Sequence, residues 1–181
     1  VEQLEDKLAK LLDNTWGDGA NWSGGLVPTG FSDVFIGGTH TARVDTNVPA
    51  TLASITLGHN EGTADGIGTL QVDAGELYVD RNVHIGSNGA NGFLTINNGL
   101  VDVGNNLVYG VEGNNGGDVN LFGGTLRISG DIRERATAVT AAQLYVDGGT
   151  LQVGGDSIVV QSFRTGNQAG RSGTYTLSGG K

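Results

Sequence analysis

The sequence predicts an all-β fold: a parallel β-solenoid whose coils of about 25 residues each carry three short strands, with a short α-helix at the N-terminus. Three observations carry this reading. Four stretches, 70–79, 94–103, 119–128 and 144–153, align on a shared glycine, and Gly75, Gly99, Gly124 and Gly149 stand 24, 25 and 25 residues apart. Each stretch runs apolar-polar-apolar, turns at glycine, and runs apolar-polar-apolar again, which is the period-two pattern of strands. Glycine supplies 33 of 181 residues, more than twice its usual share of about 7%. With only 2 prolines and no G-x-y period, this glycine is not collagen-like.

Residues 1–12 stand apart from this pattern. They contain Lys7 and Lys10, no glycine, and Val1, Leu4, Leu8 and Leu11 at heptad spacing, which predicts an amphipathic helix ended by Asp13 and Asn14. The run Gln3-Leu4-Glu5-Asp6-Lys7 resembles the opening of a leucine zipper, and the chain departs from that family at Ala9 and Lys10. Such a piece is too short to hold a coiled coil alone. Two roles stay open: a zipper-like fusion that self-associates through Val1, Leu4, Leu8 and Leu11, or a cap over an open hydrophobic end of the following domain.

Residues 13–33 form an irregular lead-in that holds both tryptophans, Trp16 and Trp22. Rings set among Gly, Asn and Pro predict a compact loop pinned by buried aromatics, with a sugar-stacking platform as the alternative. Residues 34–181 are the solenoid. Alternation places Leu70, Val72, Leu77, Val79, Val83 and Ile85 inward and Gln71, Tyr78 and His84 outward. Third strands are expected at 83–85, 107–109 and 158–160, and an earlier copy ends at Ile55-Thr56-Leu57-Gly58. A fifth unit is read at Tyr175-Thr176-Leu177-Ser178-Gly179-Gly180, aligned on Gly180, with a loop around 164–172 in the longer step; the coil is then cut off at Lys181. The unit at 131–143 leaves its third strand doubtful and predicts an excursion over 134–143. A coil cannot bury its apolar face alone, so neighbours must stack about 4.8 Å apart.

Composition removes several function classes. No cysteine means no disulfide scaffold, thiolate metal site or cysteine nucleophile. A formal charge of −9 repels a phosphate backbone, so nucleic acid is not an expected partner. No apolar run approaches the roughly 18 residues of a membrane span, so membrane insertion is not expected.

Outward rows were tested for chemistry. The row Tyr78, Asp102, Arg127, Gln152 predicts an exposed Asp102–Arg127 ion pair across one coil. The row Gln71, Thr95, Asn120, Tyr145, continued to Thr176, has no acid. The corner row Asp73, Asn97, Phe122, Asp147 puts its acids three coils apart, about 14 Å by strand spacing, beyond the roughly 5–9.5 Å of a glycosidase pair. His40, His59 and His84 lack partners at metal-ligand spacing. Residues 113–121 faintly echo a calcium-binding nonapeptide but lack its second-step glycine. The expectation is therefore no catalytic residue, no metal site and no cofactor, with adventitious Ca²⁺ at Asp- and Asn-rich corners left open.

The units Gly123-Gly124-Thr125-Leu126-Arg127-Ile128 and Gly148-Gly149-Thr150-Leu151-Gln152-Val153 resemble the passenger regions of autotransporter-like bacterial surface proteins, and the lead-in from Trp16 through Ile36 is similar to the start of such secreted solenoids. The resemblance spans most of residues 14–181. It implies a right-handed helix, a secreted or cell-surface location, and a non-enzymatic structural or adhesive role in a larger protein that binds a glycan or other cell-surface ligand. Two rival readings are a carbohydrate-binding or polysaccharide-processing β-helix, using Trp22, Tyr78, Tyr145 or the excursion near Arg133 and Arg135, and a phage or surface fibre segment.

Overall fold

A computed structural model describes residues 5–7, 14–59, 66–110, 115–135, 142–165 and 173–178. Strands β1 (Glu5–Lys7), β2 (Asp33–Gly37), β3 (His40–Val44) and β4 (Ser54–His59) precede the regular repeat. Three successive triplets follow: β5 (Gly68–Val72), β6 (Glu76–Val79) and β7 (Val83–Ile85); β8 (Gly92–Ile96), β9 (Leu100–Val103) and β10 (Leu107–Tyr109); β11 (Gly117–Leu121), β12 (Thr125–Ile128) and β13 (Ile132–Glu134). The chain closes with β14 (Ala142–Val146), β15 (Thr150–Val153), β16 (Ser162–Thr165) and β17 (Thr174–Leu177).

These strands build three parallel sheets. The first is ordered β1-β2-β4-β7-β10-β13, the second β3-β5-β8-β11-β14-β16, and the third β6-β9-β12-β15-β17. Register follows the sequence repeat. Leu70, Leu94, Val119 and Leu144 stack in the second sheet, and Leu77, Val101, Leu126 and Leu151 in the third. All eight are fully buried and belong to one continuous hydrophobic core, as do Val72, Val79, Val83 and Ile85. A slip of one residue would turn every one of these side chains to water, so alternation fixes the register. The fold is thus an all-β parallel solenoid.

The lead-in folds over the first coil. Gly19–Asn21 is a 3₁₀ turn capped by Asp18, whose carboxylate accepts the Ala20 N–H at 2.9 Å. Trp16 and Trp22 meet edge-to-face at 4.8 Å, and the Trp22 indole N–H donates to the Trp16 carbonyl at 2.9 Å. Both rings are buried, so they close the core rather than present a surface.

A second stacking device escaped the sequence reading. The Asn82 side-chain oxygen accepts the Asn106 backbone N–H at 3.1 Å, that of Asn106 accepts from Asp131 N at 2.8 Å, and that of Asp131 from Ser157 N at 3.1 Å. Side chains at the corner between the third and first sheets therefore continue the backbone ladder from coil to coil, satisfying groups that a corner would otherwise leave unpaired.

Several expectations are corrected. Glu5–Lys7 is a strand paired in parallel with β2, not a turn of the helix expected over 1–12; the open edge of β2 supplies backbone partners that outweigh a short helix's own. The rest of that stretch, including Val1, Leu4, Leu8 and Leu11, lies outside the described residues. The fifth unit was misaligned. Thr174–Leu177 pairs with Thr150–Val153, so Gly173, 24 residues after Gly149, takes the shared-glycine place that had been given to Gly180. Arg164, expected in a loop, lies in β16 beside Tyr145. Third strands do form at β7, β10 and β13, which resolves the doubt at 131–143, but the one expected at 158–160 is reduced to a single bridge between Ile132 and Ile158. Most of the excursion expected over 134–143 lies outside the described residues. No described helix is long and apolar enough to cross a membrane.

Candidate functional site

Stacking in register turns each outward position into a row, so any site on this fold must be assembled from rows. On the third sheet the row is Tyr78, Asp102, Arg127, Gln152 and Thr176. The expected ion pair forms: Arg127 Nη1 donates to Asp102 Oδ2 at 2.9 Å, and Arg127 Nε donates to Gln152 Oε1 at 3.1 Å. Tyr78 is exposed, and its hydroxyl donates to Glu76 at 2.8 Å. That hydrogen bond, with a smaller contribution from burial, raises the phenol above its ordinary value.

The second-sheet row is Arg43, Gln71, Thr95, Asn120, Tyr145 and Arg164. Its end is Arg164 rather than Thr176, because Thr176 belongs to the third sheet. The Arg164 guanidinium lies 5.7 Å from the centre of the Tyr145 ring, a cation–π distance. The Tyr145 hydroxyl donates to the Gln143 side chain. At the corner, Asp73 accepts from Arg43 Nε, from Asn97 at 2.7 Å and from Gln71 at 2.9 Å. Partial burial pushes the Asp73 carboxyl up, but these hydrogen bonds and the Arg43 charge together hold it below the usual carboxylate range.

The three aromatic candidates are not brought together. Trp22 is 2% exposed within the core, so its assignment to a sugar-stacking surface is withdrawn: neither ring face is available. Tyr78 and Tyr145 lie on different sheets. The acid of the calcium-like stretch, Asp118, is in β11 opposite Phe93 and Gln143, with no second carboxylate in register; burial raises its carboxyl. Among the described residues no three His, Asp or Glu side chains cluster as metal ligands would.

The row on the first sheet carries a concavity. Thr56, His84, Val108 and Arg133 are in register across β4, β7, β10 and β13. A depression of about 510 Å³ opens there, lined by Asn82, His84, Val108, Arg133, Glu134 and Arg135. Val108, 4% exposed, is its apolar floor. His84 Nδ1 lies 3.4 Å from Thr56 Oγ1. The signal available in the sequence was the pair Arg133 and Arg135, two residues apart and following an inward Ile132.

Comparison with known proteins gives no matching family model, no matching curated sequence and no matching solved structure. The resemblances to autotransporter-like passenger regions and to leucine zippers accordingly rest on the sequence motifs alone.

Proposed function

We infer that the chain is a non-enzymatic structural or adhesive module of a larger bacterial surface protein, secreted or displayed outside the cell as a rigid spacer that presents its outward rows. In this reading the solenoid is right-handed with three strands per coil, in keeping with the strong preference of parallel strand crossovers for that hand. One observation carries the functional reading. The outward carboxylates of Asp33, Asp73 and Asp102 are each engaged by an arginine, Arg81, Arg43 and Arg127 respectively. Hydrolysis of a glycosidic bond needs two carboxylates facing a common substrate; acids already bound to guanidinium groups are occupied by those contacts. Stiffness follows from a core that is continuous through all three sheets.

The experiment is a product assay, by reducing ends and by unsaturated-product absorbance, across neutral and uronate polysaccharides with and without Ca²⁺. No turnover is expected. Activity that survives purification and disappears in Asp102→Asn would overturn the structural reading in favour of the polysaccharide-processing one.

A further inference from the structure

Six arginines fall among the described residues. Three of them, Arg43, Arg81 and Arg127, are ion-paired, and a fourth, Arg164, covers the Tyr145 ring. The guanidinium groups of Arg133 and Arg135 have neither an ion-pair, a hydrogen-bond nor a ring partner among the described residues, and both line the depression on the first sheet. In a chain of net charge −9, two guanidinium groups without an ion-pair partner among the described residues, against the single carboxylate of Glu134 in the described lining, make this concave surface a local reversal of the overall charge.

We propose that this depression binds an acidic oligosaccharide, with Arg133 and Arg135 taking its carboxylate or sulfate groups. Its volume falls within the roughly 300–1,000 Å³ of small-ligand sites. Arg133 and Arg135 stand two residues apart, about 7 Å along an extended chain, and His84 is two strands from Arg133, about 10 Å across the sheet. That span suits a chain of sugars rather than one small ion. A guanidinium fork matches a planar carboxylate in two parallel hydrogen bonds.

The remaining lining selects among anions. Glu134 also faces the depression, and its carboxylate repels a bare sulfate or phosphate while accepting hydrogen bonds from hydroxyl groups. The Asn82 amide can serve hydroxyls in the same way. Only a ligand that carries both anionic groups and hydroxyl donors satisfies both halves of this wall. A nucleic acid is the poorer match: its backbone offers phosphates without donors for Glu134, the described lining residues include no Phe, Tyr or Trp for base stacking, and two arginines fall short of the many phosphate contacts that sustain such binding against a net negative charge. The inference does not depend on the spacer role, since a rigid module and an enzyme alike could carry such a surface.

Calorimetric titration of the full chain with trigalacturonate, a heparin-derived tetrasaccharide, maltotriose, inorganic sulfate and single-stranded DNA tests the proposal. Saturable binding of at least one of the two acidic oligosaccharides is expected, the preferred one identifying carboxylate or sulfate as the recognised group, with no binding of maltotriose. The double variant Arg133→Gln/Arg135→Gln should weaken that binding about tenfold or more, while the charge-matched Arg43→Gln/Arg127→Gln stays within about twofold of the unaltered protein. Circular dichroism checks that both variants keep their β signature. Binding of neither acidic oligosaccharide, equal weakening in the two double variants, or tighter binding of sulfate or DNA than of both sugars would each overturn the proposal.

Discussion

Replacing Gly124 by alanine, with Gly25 replaced by alanine as its control, separates two costs that the repeat imposes on its shared glycine. Both residues adopt the left-handed backbone, with φ of +66° at Gly124 and +68° at Gly25. They differ in space. A Cβ at Gly25 has no atom within 4 Å, whereas one at Gly124 would be pressed into the Gly99 carbonyl oxygen of the preceding coil and lie 2.7 Å from Asn98 C and Gly99 N. The left-handed conformation costs an alanine about 1–2 kcal/mol, offset by about 0.4–1 kcal/mol from the stiffer unfolded chain, so Gly25→Ala should lose about 1.5 kcal/mol or less. Gly124→Ala carries the same net cost plus overpacking of about 1–3 kcal/mol. Relief is blocked because the same Gly99 oxygen accepts the Thr125 N–H at 2.8 Å, and moving it away forfeits a ladder bond worth about 1 kcal/mol. The total at Gly124 is about 1–4.5 kcal/mol, towards the upper end because relief costs the ladder bond. Urea unfolding followed by circular dichroism reads both variants, with unchanged slopes required for the comparison. Equal losses at the two positions would refute the argument that coil-to-coil contact, and not only the turn, demands glycine.

Adjacent residues of β12 provide a second test. Leu126→Asp should abolish folding or cause aggregation, because a charge would enter the core between coils; Arg127→Ser, one residue on and facing water, should cost no more than about 1 kcal/mol, the upper range for an exposed ion pair. Thermal melts that fall equally would contradict the assignment of strand faces. A third test is pH. The Asp73 carboxyl is held below its unfolded value, so its contribution is complete above about pH 4 and is lost as pH falls through the lower, folded-state value. The melting temperature of the unaltered protein should therefore fall towards that of Asp73→Asn on acidification, and a gap that stays constant between about pH 6 and 2 would show that Asp73 is not the group responsible.

Register and strand faces were legible in the sequence because a step of 24 or 25 residues fixes both at once: once Gly99 and Gly124 are aligned, Asp102 must lie beside Arg127. The last coil was misread because the segments on either side of the shared glycine have the same alternation, so Tyr175-Thr176-Leu177 fits either place by pattern. Gly173-Thr174 repeats Gly149-Thr150, and that cue would have settled it. Residues 5–7 deceived for a different reason. Heptad spacing reports what a segment would do alone, whereas an unpaired edge at β2 is a property of the assembled sheet. The ladder through Asn82, Asn106 and Asp131 was hidden because asparagine at a corner is already explained by turn geometry. Arg133 and Arg135 were named as candidates with the excursion, but the depression that joins them to His84 and Asn82 was not legible, because β13 is followed by an alanine- and threonine-rich run that blurs its end.

Stacking also sets a rule for charges, and the rule explains which repeat positions vary. Residues in one row are about 4.8 Å apart; two like charges at that distance repel by about 1 kcal/mol in water and severalfold more where the wall lowers the effective dielectric. A solenoid that repeated an aspartate in every coil would accumulate this cost along its whole length. The chain limits it by alternating chemistry within several rows, and where two acids do follow one another, Asp45 and Asp73 at one corner, Arg43 stands beside them. Asp102 is followed by Arg127, Asp73 is followed by the neutral Asn97 and engaged by Arg43 from the adjoining row, and Asn82 and Asn106 stand in the corner row where Asp131 appears only once. Variation among the repeats is thus compensation, coil against coil, and a position that lacks its counter-charge departs from the rule. Arg133 does so, with apolar Val108 as its register neighbour and Arg135 two residues on. Three of the six described arginines, Arg43, Arg81 and Arg127, are neutralised by carboxylates within the fold, and the departure at Arg133 is the place where an external anion would complete the pattern.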